Sequence, residues 1–77
     1  MAKAPRTVAL ARFGLNVRQR RESLTFTQEK LAEQAELDPS YISGIERGVR
    51  NPSLLSIVRV AKALDTTASE LFAGVDK

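Results

Sequence analysis

Apolar residues recur along this chain at helical spacing, and nowhere do they alternate between turn signals as they would in a strand. From Thr7 the positions Val8, Leu10, Phe13 and Val17, with Leu24 later, fit a helix of about four turns ending near Glu22 or Ser23. Phe26 continues the apolar set. Thr27 stands where an N-cap is wanted, and Leu31, Ala32 and Ala35 then share one face of a second helix from about Gln28 to Gln34. Asp38 and Pro39 repeat the start signal, an acceptor side chain followed by the residue that loses nothing at the first helical position. The third helix places Ile42, Ile45 and Glu46 on one side and Ser40, Ser43, Gly44 and Arg47 on another. Gly48 is a left-handed stop, and Asn51-Pro52 prevents continuation. Ser53 caps a fourth helix whose stripe of Leu54, Ile57, Val58, Ala61 and Leu64, with Val60 alongside, is wider than one small core requires. Asp65-Thr66 ends it. Thr67 and Glu70 then form a capping box for a short last helix holding Leu71 and Phe72, stopped by Gly74.

The pattern predicts an all-α fold of five helices with a helix-turn-helix at helices 2 and 3. Residues 1–6 lack periodicity, carry Pro5 and read as a flexible basic tail, which leaves 7–77 as a single domain. A 77-residue chain buries a small core, so idealised helices or dimerisation must add stability.

Composition removes several function classes. There are no cysteines and no histidines, so thiolate and imidazole metal sites are excluded, and no carboxylates cluster to replace them. No cofactor is implied. Catalysis would need a Ser-Lys or paired-carboxylate site in a cleft, whereas the acids are scattered over outward helix positions, so an enzyme is not expected. No apolar run approaches membrane-spanning length and the start lacks a signal-peptide core, which predicts a soluble, cytoplasmic protein without membrane association.

Charge is blocked along the chain. Residues 1–22 carry six Lys/Arg against one Glu, residues 23–46 one Lys against five acids, and residues 47–62 carry Arg47, Arg50, Arg59 and Lys62 with no acid. Such blocks are the footprint of a polyanion binder. The third helix fits the same reading, because a merely solvated face normally carries Glu and Lys, while serines, a glycine and an arginine suit close approach to base edges and phosphates. Gly44 is the sharpest choice, since an interior helical glycine costs about 1 kcal/mol relative to alanine. Close helix packing and backbone approach to another molecule would each explain it. Arg21 lies at i+4 from Val17 and is drawn toward the core, where Glu46 is the obvious partner.

The stretch TQEKLAEQAELDPSYISGIERGVRNPSLLSIVRVAKAL, with the flanking Phe13-Gly14 and SELF, resembles the lambda-repressor-like DNA-binding domain of the XRE class over roughly Phe13 to Ala73. Within that class YISGIERGVRNPSL and the stand-alone length are similar to the controller proteins of restriction-modification systems. The resemblance implies a small homodimer that binds a palindromic double-stranded operator and regulates its own gene and that of the endonuclease. Phage-type and stand-alone XRE repressors carry similar strings, and an antitoxin-like protein-interaction module would turn the serine face toward protein. The resemblance assigns a phosphate contact and a bracing role to Gln28, and the reading positions to Pro39, Ser40, Tyr41, Ser43, Gly44 and Arg47, with Arg50 and Asn51 in the following loop. It also pairs Arg21 with Glu46. Pro39 replaces a side chain that reaches a base in relatives, and Thr25 and Asp65 stand where glycines usually end helices.

Arg50 should overhang the major groove, and arginine is the side chain best shaped to take both acceptors of a guanine. Leu55, Val58, Leu71, Phe72 and Val75 exceed the apolar surface such a core can cover and are expected at a twofold dimer interface. No small-molecule effector pocket is evident.

Overall fold

The computed structural model describes residues 3–77 as five helices, α1 (Lys3–Ser23), α2 (Gln28–Ala35), α3 (Pro39–Glu46), α4 (Leu54–Ala63) and α5 (Ala68–Leu71), with no strand among the described residues. Four starts are local and chemical. Thr27 accepts from Lys30 N–H, Asp38 from Ser40 N–H, Ser53 from Ser56 N–H and Thr67 from Glu70 N–H, so each side-chain oxygen satisfies a donor that the helix leaves unpaired.

The start of α1 departs from the hydrophobic pattern. Residues 1 and 2 of the expected tail lie outside the described residues, but the helix already includes residues 3–6. Pro5 does not prevent this, because the first-turn N–H groups have no intrahelical acceptor and proline there removes no bond.

Helix ends share a left-handed turn. After α3 the turn residue is Gly48 (φ 74°), but after α1, α2 and α4 it is Thr25 (φ 59°), Glu36 (φ 58°) and Asp65 (φ 54°). Each of these three turns returns the next N–H to a carbonyl of the last helical turn: Phe26 to Arg21, Leu37 to Ala32 and Thr66 to Ala61. Phe26 and Leu37 pack against the core and hold their turns closed. The left-handed conformation costs a non-glycine residue roughly 1–2 kcal/mol, which this bonding and packing offset.

The core is the meeting of all five helices. Its fully buried side chains are Val17 of α1, Leu31 of α2, Ile42 and Ile45 of α3, and Val60 and Leu64 at α4. Leu71 belongs to this core as well, being 2% exposed, which corrects its expected place at a dimer interface. In so short a helix one inward residue anchors the whole element, and Leu71 is that residue in α5. Leu54 is 74% exposed and outside the core, so the buried row of α4 is Ile57, Val60, Ala61 and Leu64.

Polar residues of α1 reach further than their exposure on a helical wheel suggests. Asn16 Nδ2 donates to the carbonyls of Leu71 (2.8 Å) and Ala73 (2.9 Å), and Arg20 donates from Nε to Leu64 O (2.9 Å) and from Nη2 to Asp65 O (2.8 Å). At i and i+4, these two side chains satisfy the carbonyls left over at the ends of α5 and α4. Arg20 is therefore a half-buried structural residue.

On the face of α1 toward α3, Gly14 is buried because the backbone of the third helix rests on it. A Cβ there would overlap the carbonyl oxygen of Ile45 and lie 2.7 Å from that of Glu46. Neither obstacle is a flexible side chain, so Gly14→Ala must push α3 off α1. Overpacking of this kind costs about 1–3 kcal/mol, and backbone against backbone belongs at the upper end. Urea unfolding of the variant should show a midpoint lowered accordingly with an unchanged slope; an unaltered midpoint would mean that α3 moves freely over α1.

Candidate nucleic-acid interface

The position of α3 is set by its last residue. Glu46, its side chain 3% exposed, receives Arg21 Nε on Oε2 (2.7 Å), Arg21 Nη2 on Oε1 (3.0 Å) and the Gln28 amide on Oε1 (3.1 Å). Arg21, 11% exposed, donates its third branch to Phe26 O (2.8 Å). One cluster thus joins α1, the α1–α2 turn, α2 and α3. The hydrogen bonds to Glu46 raise the Arg21 pKa above its ordinary value against the opposing effect of burial. Gln28 has a second amide N–H left for an outside acceptor.

From this anchor the opposite side of α3 faces solvent. Pro39, Ser40, Arg47, Arg50 and Asn51 are exposed, and Tyr41 and Ser43 are half-buried. The serines already hold local bonds, which fixes what they can offer. Ser40 Oγ donates to Asp38 Oδ1 (2.7 Å), leaving acceptor capacity, whereas Ser43 Oγ accepts from Arg47 Nε (3.3 Å), leaving its proton. The bonds from the Ser40 hydroxyl and N–H hold the Asp38 carboxyl below the usual carboxylate range.

Gly44 does not lie open on this face. It is buried, because the loop after α3 folds back over it: the N–H groups of Val49 (3.0 Å) and Arg50 (3.2 Å) both bond to Gly44 O, and a Cβ at Gly44 would collide with Arg50 Cγ. The glycine accommodates a neighbour in its own chain, which corrects its expected contact with DNA. Arg50 continues across Tyr41, its guanidinium carbon 5.5 Å from the ring centroid, and Tyr41 Oη accepts from Ser53 N–H (3.3 Å) at the start of α4. Neither contact was foreseen from sequence, although Tyr41 and Gly44 at i, i+3 do share a helix face. Asn51 lines, with Pro52, an apolar groove whose other walls include Phe13, Ile57, Phe72 and Val75.

Among the described residues no group of three acidic side chains is gathered as a metal site, and no helix is long and apolar enough to cross a membrane. The outward side of α3 is thus flanked by arginines and carries free donors and acceptors on its serines.

Comparison with known proteins bears on this geometry. A family model described as Helix-turn-helix matches residues 17–71. The chain is 40% identical over 67 residues to the control protein C.MunI of a Mycoplasma species, spanning 86% of this chain and 90% of that one. The crystal structure of the restriction-modification controller protein C.AhdI from Aeromonas hydrophila is similar with a TM-score of 0.81 at 46% identity, over 82% of this chain and 96% of that chain. The controller protein C.Esp1396I, as a tetramer in complex with its natural 35 base-pair operator, is similar with a TM-score of 0.78 at 33% identity, over 87% and 88% of the respective chains.

Removing one member of the buried pair leaves the other charged and unmatched. Arg21→Met should lower stability by about 3–5 kcal/mol, while Arg18→Met, which loses only the exposed pair with Glu22, should change it by less than about 1 kcal/mol. Thermal or urea unfolding of the two variants side by side tests this, and equal effects would overturn the role given to Glu46.

Proposed function

Since the chain belongs to the helix-turn-helix family and, within it, to the restriction-modification controller proteins, we propose that it binds an inverted-repeat operator as a homodimer and regulates transcription from it. The observation that carries the reading is the outward face of α3 with Arg47 and Arg50 beside it, on a fold shared with an operator-bound controller protein. The protein acts as a binding regulator without a catalytic step, and its ligand implies a site of action in the cytoplasm.

Contacts divide by chemistry. Arg50 has the fork that fits the two acceptors of a guanine, and it reads a base. Gln28, through its second N–H, and Arg47 hold phosphates and set the register of α3. Ser43 donates and Ser40 accepts, each to a base edge or phosphate within reach. Tyr41 adds a half-buried edge beside them, and Pro39, exposed at the first turn of α3, can offer only apolar contact. Asn51 contributes at most from the rim, given its place beside Pro52.

The dimer forms through α4 and the turn after α5, with Leu55, Val58, Phe72 and Val75 facing the partner. In support, Leu55 is 61% and Phe72 41% exposed, Leu54 adds further apolar surface, and the groove lined by Phe13, Ile57, Phe72 and Val75 offers a concave apolar seat. Twofold pairing presents two copies of α3 to half-sites about one helical turn, roughly 34 Å, apart.

Two experiments test the reading. Binding of a duplex selected from a random pool, and of its single-base variants, should show that Arg50→Ala loses about 1–3 kcal/mol together with the preference at one base pair per half-site, whereas Gln28→Ala weakens all sequences about equally. Uniform loss with Arg50→Ala would make that residue a phosphate clamp. Sedimentation at tens of micromolar, on the order expected for an interface of this size, should give a dimer, and Leu55→Asp should shift it toward monomer and weaken operator binding. A monomeric wild type would remove the twofold model.

A further inference from the structure

Seven arginines of this domain have described side-chain environments that can be compared. Arg18, Arg20, Arg21 and Arg47 engage guanidinium N–H groups on acceptors within the chain, and Arg12 does so on the carbonyl of Lys77. Arg50 and Arg59 make no hydrogen bond and no ion pair from the guanidinium among the described residues; Arg59 lies exposed on α4, whereas the position of Arg50 is fixed from three sides. Its N–H is held by Gly44 O at 3.2 Å, its stem lies where a Gly44 side chain would be, and its charge lies 5.5 Å from the centre of the Tyr41 ring. The Tyr41 ring is itself restrained, through its packing on the core and through the hydroxyl that accepts from Ser53 N–H.

We infer that Tyr41 is a positioning residue for base selection: its ring and the bare backbone of Gly44 form a seat that holds the Arg50 guanidinium in place with all five N–H donors free for a purine edge. This rests on Arg50 being the base reader. The attraction of the seat is electrostatic, between the guanidinium and the ring face, and leaves the in-plane donors unengaged. A hydrogen-bonded or ion-paired anchor would instead occupy the donors that recognition needs. Holding a long side chain in its bound form before DNA arrives removes an ordering cost that otherwise falls on the specific complex. Tyr41 thereby acts on sequence preference through Arg50, whatever contact its own edge makes.

The test is a double-mutant cycle read as base preference. The probes are the duplex that the wild-type homodimer selects from a random pool and its three variants at the base pair whose preference Arg50→Ala removes. Tyr41→Leu should reduce discrimination at that same pair by roughly 3- to 30-fold, the range of an aromatic-cation contact, and should add little when combined with Arg50→Ala. Tyr41→Phe keeps the ring and should retain that discrimination, whatever the loss of the Ser53 bond does to overall affinity. Gly44→Ala, whose Cβ takes the place of the Arg50 stem, should reproduce the loss of preference while leaving Tyr41 intact, and it serves if Tyr41→Leu does not fold. Additive effects of Tyr41→Leu and Arg50→Ala, a loss at a different base pair, or an equal loss with Tyr41→Phe would overturn the inference and leave Arg50 as the reader. If Arg50→Ala changes no base preference at all, the assignment of Arg50 falls, and the seat with it.

Discussion

The fold depends on keeping a carboxylate charged at the wrong end of a helix. Glu46 closes α3, where the carbonyl ends of the helix carry partial negative charge and disfavour an anion, and its side chain is withdrawn from water. Three donors from α1 and α2 make that tolerable, and in doing so they locate α3 against both. A lysine in place of Arg21 could supply the charge but not the planar fork that meets both carboxylate oxygens and also reaches Phe26 O. The cluster therefore defines the orientation of the exposed face of α3 more sharply than apolar contacts alone, because apolar packing is non-directional.

The neighbouring residue performs the complementary task on the other half of the molecule. Arg20 and Asn16 hold the ends of α4 and α5, while Arg21 holds α3, so two adjacent arginines on one helix tie the helices proposed for pairing to the helix proposed for reading. Gly14 brings the backbones of α1 and α3 together between these polar rows. The long first helix is thus a frame, and the short helices derive their places from it. This suits a domain whose second, third and fifth helices are too short to be stable in isolation.

Much of this was legible in the chain because it is local. Thr27, Asp38, Ser53 and Thr67 act within three residues of themselves, and the turn at Gly48 needs only its own backbone freedom. The pairing of Arg21 with Glu46 was also accessible, since each falls on an inward face of a regular helix. Legibility ended where a polar or glycine residue takes its role from a segment that returns from elsewhere. Gly44 looked open because helix periodicity cannot show the loop through Arg50 folding back onto it. Leu71 looked available to a partner because a four-residue helix has too little periodicity to distinguish an inward anchor from a surface patch. The roles of Asn16 and Arg20 were not visible in the sequence, because the carbonyls they satisfy lie about fifty residues away, a distance that only packing reveals.

Three of the left-handed turns bear on how much stability this backbone could hold. Thr25, Glu36 and Asp65 are exposed, and each sits in a conformation that favours glycine. None belongs to the face of α3 or to the apolar surface assigned to pairing. The domain therefore holds an unused thermal margin at its corners, in positions where selection for tolerance to heat could act without altering which sequence is read.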